Sequence, residues 1–186
     1  MDVDVIIEAS SLSQYITFAK RLRNLGFQED ISDGAPLCRW VAQEITLDVM
    51  PVDEKILGFS NRWYQAAIAT AIDITLLNKL RIRMVNAPLF VATKLEAFYG
   101  RGKSDYLGSS DLEDIVSVLD GRPELPEEIF SSDEEVRSYL KEEFAKLMQI
   151  TGFLDALPGH LPPDAASQAR LGILLGRIDS VVNMVK

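Results

Sequence analysis

Pro88-Leu89-Phe90-Val91-Ala92-Thr93-Lys94-Leu95-Glu96-Ala97-Phe98 is the stretch at which the hydrophobic period of this chain changes. Before it, apolar residues alternate with polar ones in short β-branched runs. From it onward they recur at spacings of three and four. Pro88 suits the first position of a helix, where its missing N–H costs nothing. The helix is expected to run to about Tyr99 and to stop at Gly100-Arg101-Gly102. Strands come first and helices second, which predicts an α+β chain: a mixed sheet over residues 1–87 and a helical region over 88–186.

Upstream of this switch, Val3, Val5 and Ile7 alternate with Asp2, Asp4 and Ile6, a strand pattern. Ser11 to Leu25 reads as a helix capped by Ser11 or Ser13. Tyr15, Ile16, Ala19, Leu22 and Leu25 form its apolar face, and Gly26 sits just past its end. After a turn-rich link at Ile31 to Ala35, Leu37–Val41 and Glu44–Met50 read as a pair of strands, the second ending at Pro51. Val52 to Asn61 reads as a loop, and Trp63 to Ala69 fits either period. Ala71–Leu77 and Arg81–Val85 read as a hairpin across Asn78-Lys79-Leu80. Downstream, Ser110 and Glu113 predict a capping box for a helix over Asp111–Asp120, stopped by Gly121. Ser132 and Glu135 predict another, opening a long helix with Val136, Tyr139, Leu140, Phe144, Leu147 and Met148 on one face. Pro162-Pro163 is expected to start the last helix, faced by Leu171, Leu174, Leu175, Ile178, Val181 and Val182. No internal repeat is evident.

The totals exclude several classes of protein. A chain of 186 residues buries a core without staples, and its net charge of −9 argues against a general nucleic-acid coat protein. A local basic groove could still bind RNA or DNA. Cys38 is the only cysteine, so no internal disulfide forms. The acidic N-terminus has no apolar signal region, and the longest apolar runs fall short of a membrane span, so a cytoplasmic location is expected. His160 is the only histidine, which excludes a site built on several. Its setting, Pro158-Gly159-His160-Leu161-Pro162-Pro163, reads as a turn between helices and favours a structural role.

The chemistry lies in the carboxylates. Residues two apart in a strand point to one face, so Asp2 and Asp4 project together and repel unless a cation sits between them. Mg²⁺ prefers such hard oxygen ligands. Asp48 is the one charge in Ile45-Thr46-Leu47-Asp48-Val49-Met50. If its strand pairs beside the first, three carboxylates can hold two metals about 4 Å apart for phosphoryl or nucleotidyl transfer. The same spacing also suits solvated strand ends without a ligand.

Asp2-Val3-Asp4-Val5 followed by Asp48 resembles the second half of a nucleotidyltransferase signature. Pro88 to Phe98, then Arg101-Gly102, then Ser110-Asp111-Leu112-Glu113-Asp114-Ile115, resembles the motif of the AbiEii-like (MenT-type) bacterial nucleotidyltransferases, among them toxins of toxin–antitoxin systems. Leu47-Asp48-Val49-Met50-Pro51 and Gly58-Phe59-Ser60-Asn61-Arg62-Trp63-Tyr64 are similar to a subgroup of these, and the resemblance spans roughly Asp2 to Arg122. It implies a polymerase-β-like core that transfers a nucleotide from an NTP to an acceptor such as RNA or tRNA. Asp2, Asp4 and Asp48 would hold Mg²⁺, with Asp48 also orienting or deprotonating the acceptor hydroxyl. Lys94 and Arg101, on one helix face, would approach the phosphates. Asp111 and Asp114, on another, would support the site by pairing with Lys94 or Arg101.

Each of these residues also has a plainer reading. Lys94 suits a lysine lying along an amphipathic helix, Asp111 a first-turn carboxylate favoured by the helix dipole, and Trp63 and Tyr64 core aromatics. The family pattern also places a strand, a Gly-Gly or Gly-Ser turn and a helix ahead of the Asp-x-Asp strand, and Met1 directly precedes Asp2. The resemblance is thus to an N-terminally truncated member, either a start codon assigned too late or a degenerate relative. The shortened sheet is expected to self-associate or to be covered by a partner such as a cognate antitoxin. The alternative to an enzyme is a non-catalytic nucleotide- or partner-binding protein of the same fold.

Overall fold

A computed structural model describes residues 2–101 and 104–184. The chain is mixed α/β and divides into two compact units, Met1–Thr70 and Ala71–Lys186. The division falls ahead of the hairpin, which belongs with the helices.

The first unit holds β1 (Asp2–Ile7), α1 (Leu12–Asn24), β2 (Gln28–Glu29), β3 (Arg39–Ala42), β4 (Ile45–Pro51), α2 (Glu54–Leu57) and α3 (Tyr64–Ala69). Its sheet has the order β1-β4-β3-β2, with β1 parallel to β4 and the other neighbours antiparallel. The expected pairing of the Asp48 strand beside the first is present. Period-two alternation gives the sheet one apolar face, and α1 packs on it. Tyr15, Ala19 and Leu22 of the helix meet Trp40 and Val49, with Ile7, Phe18 and Leu47 around them. Ser11 caps α1 by accepting from the Gln14 N–H, and Gly26 follows it at φ 91°, as its sequence predicts. The segment read as loop from Val52 includes the short helix α2, capped by Asp53. Trp63 to Ala69, which fits either period, resolves as the helix α3.

The second unit opens with β5 (Ile72–Thr75) and β6 (Arg81–Met84), an antiparallel pair. Among the described residues seven α-helices follow: α4 (Ala87–Arg101), α5 (Ser110–Gly121), α6 (Leu125–Ser131), α7 (Glu134–Leu147), α8 (Thr151–Ala156), α9 (Ala165–Gln168) and α10 (Leu171–Val182). A 3₁₀ turn spans Leu157–His160. The core is built from Leu95 and Phe98 of α4, Leu112 and Ile115 of α5, Leu140 and Phe144 of α7, and Leu174 and Ile178 of α10, all nearly inaccessible.

Three boundaries differ from the sequence reading. Ser109, not Ser110, caps α5, accepting from the Leu112 N–H. The residue preceding α7 is Asp133, and no side chain caps that helix, so the Ser132–Glu135 box does not form. The Pro162-Pro163 segment leads into only the short α9, and the chain turns again at Ala169-Arg170 before α10. Helix α6 has no counterpart in the sequence reading, because Pro126 in its first turn looks like a breaker while in fact suiting that position. Gly102, expected to help end α4, lies outside the described residues. Among the described residues no helix is long and apolar enough to cross a membrane.

Candidate functional site

In the first unit, strand register sets the candidate residues. Asp4 is the partner of Asp48 across the parallel β1–β4 ladder, and Asp2 is the partner of Thr46. Paired residues in neighbouring strands project to the same face, so Asp2, Asp4 and Asp48 share the face opposite α1. Asp2 and Asp4 are exposed, while the Asp48 side chain keeps 17% of its surface.

The same row contains a residue the sequence reading missed. Arg39 is the antiparallel partner of Asp48, and its guanidinium grips both carboxylate oxygens, Nε to Oδ1 at 2.9 Å and Nη2 to Oδ2 at 2.8 Å. The hydrogen bond to Asp48, with further attraction from Asp48 and Asp2, raises the Arg39 pKa well above its usual value. The signal for Arg39 is present in the sequence. A two-residue turn at Gln43-Glu44 pairs Ala42 with Ile45 and therefore Arg39 with Asp48. It is obscured because Gln43, at φ 54°, occupies a left-handed position that glycine usually marks.

Cys38, buried next to Arg39, has its thiol pushed up to about 11, first by burial and then by Asp48. Tyr64, on the same side of the sheet as Met50, donates to its sulfur at 2.9 Å. Trp63 and Tyr64 are both buried, the core placement that their plainer reading gives them.

Mg²⁺ suits these donors chemically but not in their present arrangement. Among the described residues no three Asp, Glu, His or Cys side chains converge as a metal ion would require. Both Asp48 oxygens accept from Arg39, which competes with a metal ion for the same carboxylate.

In the second unit, α4 and α5 bring four further candidates together. Lys94 and Arg101 lie seven residues apart on α4 and point to one side. Asp111 and Asp114 face them from the first turns of α5. Arg101 binds Asp111 through Nε at 3.0 Å and Nη2 at 2.8 Å, and the Lys94 ammonium lies 2.6 Å from Asp114 and 4.0 Å from Asp111. Asp111 is almost wholly buried, with 3% of its side chain exposed, whereas Arg101 keeps 65%. The ammonium also sits 5.6 Å from the centre of the Phe90 ring. Lys94 and Arg101 are therefore ion-paired with Asp111 and Asp114. His160 places Nε2 2.7 Å from the Tyr106 carbonyl and ties the 3₁₀ turn to the segment before α5.

Comparison with family models, with curated proteins and with solved structures gives no match.

Proposed function

We propose that this chain is a nucleotidyltransferase-like protein that transfers a nucleotide from an NTP to an acceptor such as RNA or tRNA with the help of Mg²⁺. The toxin of a toxin–antitoxin pair is the setting its resemblance suggests. One observation carries the reading: the in-register parallel pairing of Asp4 with Asp48, which sets the Asp-x-Asp strand and the third carboxylate side by side on one face. In this reading the fold is a polymerase-β-like core. Asp2 and Asp4 hold the metal, Asp48 joins them and orients the acceptor hydroxyl, and Lys94 and Arg101 steer the phosphates. Bound Mg²⁺ would supply Lewis-acid activation for the transfer.

The test is incubation of the full chain with radiolabelled NTPs, Mg²⁺ or Mn²⁺ and total RNA, beside Asp4→Asn and Asp48→Asn. Label transfer that both substitutions abolish is expected. Transfer that survives both would refute the assignment of the carboxylates.

A second reading rests on the bidentate Arg39–Asp48 pair. An arginine holding the third carboxylate supplies within the protein the charge a metal would bring, as in a non-catalytic nucleotide- or partner-binding relative. Calorimetry separates the two readings. NTP binding without turnover favours the second, and turnover excludes it.

A further inference from the structure

Among the described residues β5 and β6 form a sheet of two strands, joined by the loop Leu77-Asn78-Lys79. The Leu76 N–H donates to the Leu80 carbonyl at 2.8 Å, and Lys79 closes the loop at φ 66°, so the ladder runs on to its tip. Register pairs Ile72 with Met84 and Ile74 with Ile82, and the bond between Leu76 and Leu80 continues the row. Alternation therefore puts these six apolar side chains on one face of the hairpin and Asp73, Thr75, Arg81 and Arg83 on the other.

The apolar face stays largely open. Ile72, Leu76 and Met84 keep 40–42% of their surface and Leu80 keeps 57%, while Leu77 at the tip is fully exposed. Ile74 and Ile82, in the middle of the row, are half-buried. Together they present roughly 500 Å² of apolar surface, toward the upper end of what a monomer leaves in one patch. A two-stranded hairpin is marginally stable by itself and gains most from packing on this face.

We propose that two copies of the chain meet here, the two hairpins packing apolar face to apolar face about a two-fold axis. Area favours this occupant. Two such faces bury roughly 1,000 Å² in total, the size at which a specific interface begins. The face is self-complementary, because it carries no charge that packing would strand without a partner. Charge elsewhere agrees. Residues 71–85 hold one aspartate against one lysine and two arginines, a net of +2 in a chain of net −9. The hairpin is thus the part of each copy that the remainder of the other attracts, and Arg81 and Arg83 stay exposed on its outer face. The inference does not depend on nucleotide transfer, and its surface is not the carboxylate face of the first unit.

Sedimentation equilibrium of the full chain tests this over a range reaching about 100 µM. A monomer–dimer equilibrium in the micromolar range is expected for an interface of this size. Leu80→Lys and Ile72→Lys should each raise the dissociation constant by roughly tenfold or more. Ile31→Lys, at an exposed apolar residue of the first unit, should leave it unchanged. Far-UV circular dichroism checks that each variant keeps its helices. Cross-linking with a flexible bismaleimide needs no disruptive substitution: Leu80→Cys should give a covalent dimer and Ile31→Cys should not. The wild type, whose Cys38 is buried, serves as the blank. The proposal is overturned if the chain stays monomeric at about 100 µM, or if both lysine variants of the hairpin dimerise as the wild type does. It is overturned equally if Ile31→Lys weakens the dimer as much as they do. A monomer that binds lipid vesicles through this face would overturn the choice of occupant.

Discussion

Replacing Arg101 by leucine should destabilise the helical unit far more than an ordinary surface substitution. Asp111 is 3% exposed and accepts two charge-assisted hydrogen bonds from Arg101, at 3.0 and 2.8 Å. Without Arg101, the cation left beside Asp111 among the described residues is the Lys94 ammonium at 4.0 Å, which already sits 2.6 Å from Asp114. Breaking a buried pair from one side costs about 3–5 kcal/mol. Arg101 itself is 65% exposed, so water reaches that edge and screens the pair, which lowers the expected loss to about 2 kcal/mol. In a unit of this size that is a fall in Tm of roughly 10 °C. Far-UV circular dichroism in thermal and urea series measures it, because most of the helix lies in this unit. Arg101→Leu/Asp111→Leu should recover most of the loss, since the double variant removes the carboxylate that was left uncompensated. The coupling between the two positions should be about 1–2 kcal/mol. A shift below about 2 °C for the single variant, or strictly additive effects in the double, would refute the reasoning.

The other predictions concern the sheet unit, which contains both tryptophans, Trp40 and Trp63, so tryptophan fluorescence reports its unfolding. Arg39→Leu leaves Asp48 in register with Asp4 and without its guanidinium, and should lower the urea midpoint by the equivalent of about 2 kcal/mol, with Asp48→Asn costing less. If Arg39→Leu also makes stability rise with added Mn²⁺, the freed carboxylates bind metal, and no metal response would count against that use of the face. Cys38 has a folded pKa of about 11, above its usual 9.0. Its contribution to stability is therefore complete below pH 9 and lost as pH rises through about 11. Cys38→Ala should flatten that alkaline decline, and an unchanged decline would show that other groups cause it. Gly26 follows α1 at φ 91° with open space around it, so Gly26→Ala should cost about 1 kcal/mol from backbone strain alone, read by the same fluorescence titration.

The parts of this molecule that were legible in its sequence are those set by periodicity. Val3, Val5 and Ile7 gave β1, Tyr15, Ala19 and Leu22 gave the buried face of α1, and the change of period at Pro88 gave α4, because burial of one face imposes a period of two or near 3.6. That Lys94 and Arg101 share one face of α4, and Asp111 and Asp114 one face of α5, was legible for the same reason, whereas their pairing was only what the resemblance implied. What remained hidden depended on single backbone positions. Ser109 and Ser110 both suit a cap, and only local geometry decides between them. The turn at Gln43 adopts a left-handed conformation without glycine, so the register that brings Arg39 to Asp48 had no marker. Short helices such as α2 and α6 complete too few periods to show one, and packing rather than propensity holds them.

Charge arithmetic distinguishes the candidate cluster of the helical unit from that of the sheet unit. Lys94, Arg101, Asp111 and Asp114 sum to zero and are already joined in short ion pairs. A phosphate chain reaching Arg101 meets a guanidinium whose charge the buried Asp111 already balances, and drawing Arg101 away from that carboxylate is costly. Releasing Arg101 would cost the same roughly 2 kcal/mol that its removal costs, which weakens nucleotide binding by more than tenfold relative to an open site. Asp2, Asp4, Asp48 and Arg39 sum to −2, and Asp2 and Asp4 are exposed. Asp2 is exposed at the end of its row, so a cation can approach it without opening the Arg39–Asp48 pair.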